Sequence, residues 1–223
     1  MRHLTPRRRH IRSAPTQASR RPIAERGQRI GLLGGSFNPA HEGHLFISRL
    51  ALERLFLDEV WWLVAPQNPL KPLDDMAPFE ERLRRTDEFA DHPGIIVTGL
   101  ERDLGTRFTV DTIARLQIRA PQTRFVWLMG ADNLATIHHW HRWQEIFESV
   151  PVAVFDRAPY SFSCLASRAA VRYRRHRLPA SRARALADVA PPVWTFVLGP
   201  RHPASATAIR AGDRSFGFAG QDD

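Results

Sequence analysis

Two histidines three residues apart follow a glycine pair in Gly34-Gly35-Ser36-Phe37-Asn38-Pro39-Ala40-His41-Glu42-Gly43-His44. These residue types suit phosphate chemistry. Gly34 and Gly35 carry no side chain, so their backbone N–H groups can approach a phosphate closely. A helix starting just after them offers the positive end of its dipole to an anion. In its first turn, the three-residue spacing lets His41 and His44 share one face. Imidazoles placed there can donate hydrogen bonds to phosphate oxygens as charge builds in a transition state. The segment is not a P-loop, because Gly-x-x-x-x-Gly-Lys-Ser/Thr is absent, and it is not Gly-x-Gly-x-x-Gly either. Two other readings stand beside the phosphate site. One is a plain glycine turn with two surface histidines; the other is a zinc site, which would need a third protein ligand.

The elements that must position these residues read as an alternating series. Ile30–Leu33 is a short apolar run before the glycines, and 42–57 has the apolar spacing of a helix. Strands are then expected at 60–65, 95–98, 124–129, 152–155 and 193–198, and helices at 79–90 and 109–118. Asp132 is expected to cap a helix that continues through Trp140–Glu148. Ala204–Arg210 is expected to open a last short helix. Apolar strands joined to helices by short connections indicate an α/β fold with a doubly wound parallel sheet in a single domain. The histidine segment then lies after the first strand, at the carboxyl edge where such sheets bind ligands. Residues 157–190 show no clean strand, and a basic helix is expected around Ser163–Arg175.

The formal net charge of the 223 residues is +9, and its distribution matters more than its total. Residues 1–28 hold eight Arg and one acid, and 157–184 hold eight Arg and none, whereas 29–156 are net −5. The motif-bearing body is therefore acidic, which makes nucleic acid an unlikely partner despite the basic total. Residues 1–28 are expected to be a disordered basic arm, and 211–223 an atypical flexible tail around a domain at 29–210. The apolar runs are strand-sized, so no membrane-spanning helix and no membrane partner is expected. The lone Cys164 excludes an intramolecular disulfide and a Cys-based zinc site, suits a reducing compartment, and reads as a passive thiol. A cytoplasmic location is expected, and self-association is left open.

His41-Glu42-Gly43-His44 after Gly-Gly-x-Phe-x-Pro resembles the His-x-Gly-His signature of the nucleotidylyltransferase superfamily. The fuller chain resembles bacterial nicotinate-nucleotide adenylyltransferases from about Arg29 to Arg210. Four later segments support this: Pro66–Lys71, Thr106–Thr112, Trp127–Asn133 followed by Trp140, and Ser205–Arg210. The resemblance implies a Rossmann-like nucleotidylyltransferase fold. It implies adenylyl transfer from ATP to nicotinate mononucleotide, giving nicotinate adenine dinucleotide and pyrophosphate. Mg²⁺ is the implied cofactor, held mainly by the ATP phosphates and water, with no metal ligands from the protein.

The same resemblance implies roles for particular residues. His41 and His44 would contact the transferring phosphate. Gly34, Gly35, Ser36 and Phe37 would line the ATP site from the first loop, with Gly130 and Asp132 from the fourth strand. Ser205, Thr207 and Arg210 would hold the ATP phosphates. Lys71, Thr109 and Trp140 would bind the mononucleotide, Trp140 by stacking on the nicotinate ring and Thr109 through its backbone N–H. Unaided by the resemblance, Trp140 reads as core and Ser205 as an ordinary helix cap. The chain departs from the family in Asn38, Phe108, His141 and the glycine-rich end. Alternatives are another adenylyl- or cytidylyltransferase of the superfamily, such as a pantetheine-phosphate adenylyltransferase, or a basic nucleic-acid-binding protein.

Overall fold

A computed structural model describes residues 22–66, 76–156 and 162–199. Its strands are β1 Arg29–Gly35, β2 Glu59–Val64, β3 Ile95–Thr98, β4 Arg124–Gly130, β5 Val152–Phe155, β6 Arg177–Leu178 and β7 Trp194–Val197. They form one sheet in the order β3-β2-β1-β4-β5-β7-β6, and every neighbouring pair is parallel. The chain runs outward from β1 to β3, returns to β4 and runs outward the other way. The order therefore reverses between β1 and β4, where a doubly wound sheet leaves a crevice at its carboxyl edge.

Both faces of the sheet are covered, which is why the strands are nearly uniformly apolar. Side chains alternate between two cores as the strand period requires. Ile30, Leu32, Trp61, Leu63 and Trp127 enter one core. That core lies under α3 Leu100–Leu104, α4 Thr109–Arg119, α5 Ala131–Thr136, α6 Trp143–Ser149 and α7 Arg168–Arg172. Leu33, Val60, Trp62, Val64 and Leu128 enter the other. It is covered by α1 Glu42–Leu55, α2 Phe79–Phe89 and the 3₁₀ helix Ala180–Asp188.

Most expected elements stand within one or two residues of their places. The first helix ends at Leu55 because Phe56 turns left-handed, at φ 54°. There are three differences of substance. The sheet has a seventh strand, β6, in the 157–190 stretch where none was expected; its two residues are too few to leave a periodic trace. The basic helix expected at 163–175 is divided into a 3₁₀ turn at Phe162–Ala166, a five-residue α7 capped by the Ser167 hydroxyl, and another 3₁₀ turn at Arg174–His176. The helix through Trp140–Glu148 is broken: Trp140 is extended, Arg142 is left-handed at φ 49°, and α6 starts only at Trp143.

Residues 22–28, at the end of the basic N-terminal stretch, attach to the body. The Gly27 N–H donates to the Gln122 carbonyl, and Arg124 N–H to the Gln28 carbonyl, which extends the β1–β4 pairing. The last expected helix, Ala204–Arg210, lies outside the described residues.

Candidate active site

The loop from β1 to α1 crosses the carboxyl edge at the reversal point. His41 is the N-cap of α1, and hydrogen bonds tie it into the first turn. The Gly43 N–H donates to His41 Nδ1 at 3.1 Å, and the His41 N–H donates to His44 Nδ1 at 3.2 Å. The His44 N–H also donates to the His41 carbonyl. The N–H groups of His41, Gly43 and His44 are thus taken up by the two histidines within the first turn of α1, so they are not offered to an anion. What the helix start presents instead is its dipole and two imidazoles. Because each Nδ1 accepts a backbone N–H, the proton of each neutral ring sits on Nε2. Both rings are thereby set as Nε2–H donors.

The two rings lie 3.8 Å apart, and His41 is almost wholly buried. Phe37, at φ 44°, packs against His44 at 4.7 Å and stacks on Trp62 of β2 at 5.1 Å. A column of four rings therefore runs from the helix cap into the core. Buried Ser48 braces it from below. Its hydroxyl accepts from Trp62 Nε1 at 2.7 Å and donates to the His44 carbonyl at 2.8 Å.

The second wing grows from β4. Gly130 ends this strand and caps α5 through its backbone. Asp132, expected as the cap, is the second residue of α5 instead, where a carboxylate still meets the favourable end of the helix dipole. The Trp140 N–H closes a 3₁₀ turn on the Ile137 carbonyl at 2.8 Å. That closure ends the helical run and takes Trp140 out of the helical stripe. Its half-buried indole meets Trp127 edge to face at 6.4 Å. Trp127 in turn fills the space that a side chain at Gly34 would need: a Cβ there would lie 2.6 Å from Trp127 Cη2. Gly34 is thus required by the neighbouring strand's tryptophan.

Thr109 is the first residue of α4, after Phe108. His141 packs on Phe108 at 4.3 Å, and Arg142 pairs with Asp111 at 3.3 Å. These contacts draw the Trp140 turn to the start of α4, so Thr109 and Trp140 belong to one corner of the molecule. Lys71, Ser205, Thr207 and Arg210 lie outside the described residues.

Two residues with no assigned role in the sequence reading stand out. Arg82 of α2 is 2% exposed, and its guanidinium donates to the carbonyls of Ser36, Pro66 and Ala77 at 2.6, 2.9 and 2.9 Å. Burial lowers its pKa, although an arginine stays charged in proteins. Glu101 of α3 is buried, and burial pushes its carboxyl up to about 7 against the opposing pull of the Thr112 hydroxyl, which donates to it at 3.2 Å. The Thr106 and Thr112 hydroxyls are bonded to each other at 2.8 Å. The only available signal was position: both residues fall on otherwise apolar helix faces, beside Leu83 and Leu100. Cys164 is buried, and burial raises its thiol to about 11, so it is unreactive.

A parallel doubly wound sheet with a capped histidine pair at its reversal point defines a class of nucleotide-handling α/β protein. Residues 32–212 match the cytidylyltransferase-like family model. A curated relative named "Probable nicotinate-nucleotide adenylyltransferase", from Rhizobium johnstonii, is 46% identical, covering 86% of this chain and 96% of its own. One with the same name from Cereibacter sphaeroides is 52% identical over 85% of this chain and 98% of its own. The chain belongs to the cytidylyltransferase-like family, in its nicotinate-nucleotide adenylyltransferase branch. A solved structure of Plasmodium falciparum nicotinic acid mononucleotide adenylyltransferase complexed with NaAD shares the fold, with TM-score 0.62 and 16% identity, over 82% of this chain and 83% of that one.

Proposed function

We propose that this chain transfers the adenylyl group of ATP to the phosphate of nicotinate mononucleotide, releasing pyrophosphate. The observation that carries the reading is the His41–His44 pair, capped so that both rings hold Nε2 protons at the carboxyl edge of β1. The curated relatives' name supports the choice of acceptor.

An oxygen of the mononucleotide phosphate forms a bond to the α-phosphorus of ATP, and the bond from that phosphorus to pyrophosphate breaks. The attacking phosphate is already an anion near neutral pH, so no strong general base is needed. The protein aligns the two phosphates and stabilises charge on the α-phosphate oxygens. His41 and His44 donate from Nε2 to those oxygens, and the α1 dipole adds to their field. The half-buried Trp140 indole offers a flat face to the nicotinate ring, and the α4 start at Thr109 offers a backbone N–H to its carboxylate. Among the described residues no three His, Cys, Asp or Glu side chains converge as a metal cage. Mg²⁺ would be held by ATP phosphates and water, supplying charge neutralisation there.

His44→Ala tests the reading. With ATP, Mg²⁺ and nicotinate mononucleotide, pyrophosphate release should fall by about 10²-fold or more in kcat, as for loss of a transition-state donor. A drop of less than about threefold would contradict the role given to the pair.

A further inference from the structure

Arg82 is a buried cation whose hydrogen bonds, among the described residues, all go to backbone carbonyls, with the Phe79 ring centre 5.6 Å from its guanidinium carbon. Its three carbonyl acceptors come from two connections at the carboxyl edge: the β1–α1 loop at Ser36, and the two ends of the β2–α2 connection at Pro66 and Ala77. Among the described residues no carboxylate pairs with it. An arginine in a fold's interior usually needs such a partner, because an uncompensated charge there is costly. Here the planar fork satisfies several donors at once on otherwise unconnected carbonyls, which a lysine's single point of charge cannot reproduce. The shortest of the three bonds, to Ser36 at 2.6 Å, holds the residue just before Phe37. Phe37 is left-handed and carries the ring that packs against His44.

The structure assigns Arg82 as a positioning residue for adenylyl transfer: by fixing the Ser36 carbonyl it sets Phe37, and through Phe37 the placement of the His44 and His41 rings. The assignment rests on the proposed function for its kinetic consequence, but its structural half does not. A guanidinium that pins Ser36 also ties the β1–α1 loop to both ends of the β2–α2 connection, at Pro66 and Ala77. Its buried charge further favours anions at that edge, in a medium where fields are weakly screened.

Three measurements on the full chain decide it. Arg82→Lys should stay folded by circular dichroism and lower kcat by about 30-fold while changing the KM for ATP less than about threefold, because alignment rather than binding is lost. Arg82→Ala should lose more, and about 20 mM guanidinium should restore it at least about fivefold while methylammonium does not, since only the fork reaches separate carbonyls. The His41 and His44 ring signals in NMR should shift in Arg82→Lys while those of distant His92 and His176 hold. A Lys variant with kcat within about threefold of the parent, or unmoved His41 and His44 signals, would overturn the assignment. So would loss of the fold in both variants, which would make Arg82 a residue of general stability. If the parent itself makes no dinucleotide, the proposed reaction fails, and the NMR comparison still decides the positioning role.

Discussion

The Nδ1 atoms of His41 and His44 are occupied by backbone N–H groups, so these histidines are oriented by the helix they begin. In both rings the capping bond is made through Nδ1. The support is equally local. Ser48 joins Trp62 to the His44 carbonyl, and Trp62 carries Phe37, which carries His44. Ser48→Ala would leave the Trp62 indole N–H buried and unpaired, which costs about 1–3 kcal/mol. Urea unfolding should show this as a lower midpoint at unchanged slope. An unchanged midpoint would mean that the bond adds nothing to the column. The residue types and spacing of the histidines were legible in the sequence, because helical geometry fixes which residues share a face. The use of the first N–H groups was not, since an N-cap histidine accepts through a side chain whose rotamer no spacing reveals. Nor was the reason for Gly34, which lies on another strand, in the Trp127 ring.

At the scale of elements, the strands were readable because a sheet covered on both faces demands apolar runs. The Trp140 turn was not readable. Ile137, Trp143 and Phe147 do keep a helical stripe, and all three are buried. The break between them comes from a 3₁₀ closure and from contacts made by His141 and Arg142 with α4, far away in sequence. A similar corner, α3 against α4, holds the Glu101 carboxyl with Thr112. Its pKa in the folded protein is raised from 4.5 to about 7. A raised carboxyl pKa means that the folded state holds the proton more tightly than the unfolded state does. The resulting stability is fully present below about pH 4.5 and is lost as pH rises through about 7. The loss corresponds to about 3 kcal/mol. Glu101→Gln keeps an acceptor for the Thr112 hydroxyl and cannot ionise. Unfolding free energies of the parent and of Glu101→Gln should therefore diverge between pH 5 and pH 7.5, the parent falling relative to the variant. Parallel curves would show that Glu101 ionises without penalty.

For the whole molecule, the +9 charge is divided between two arginine-rich stretches and a net-negative body, and the histidine pair belongs to that body. Composition alone pointed to polyanions, but the histidine pair lies in the acidic part of the chain. The structured body also reaches back past Arg29. Glu25, Gly27 and Gln28 bond to the turn before β4, and Ala24 packs against the core. A chain lacking residues 1–28 should unfold about 1–3 kcal/mol more easily than one lacking residues 1–21, because it loses these bonds and the buried contact. Equal stability would place the start of the body at Arg29. The most direct test of the central claim is the product formed from ATP and Mg²⁺ by the full chain, read by mass spectrometry, with each of three acceptors: nicotinate mononucleotide, nicotinamide mononucleotide and phosphopantetheine. Adenylyl transfer to nicotinate mononucleotide should give nicotinate adenine dinucleotide with stoichiometric pyrophosphate, formed fastest from the nicotinate acceptor. A dephospho-coenzyme product with no nicotinate dinucleotide would contradict it.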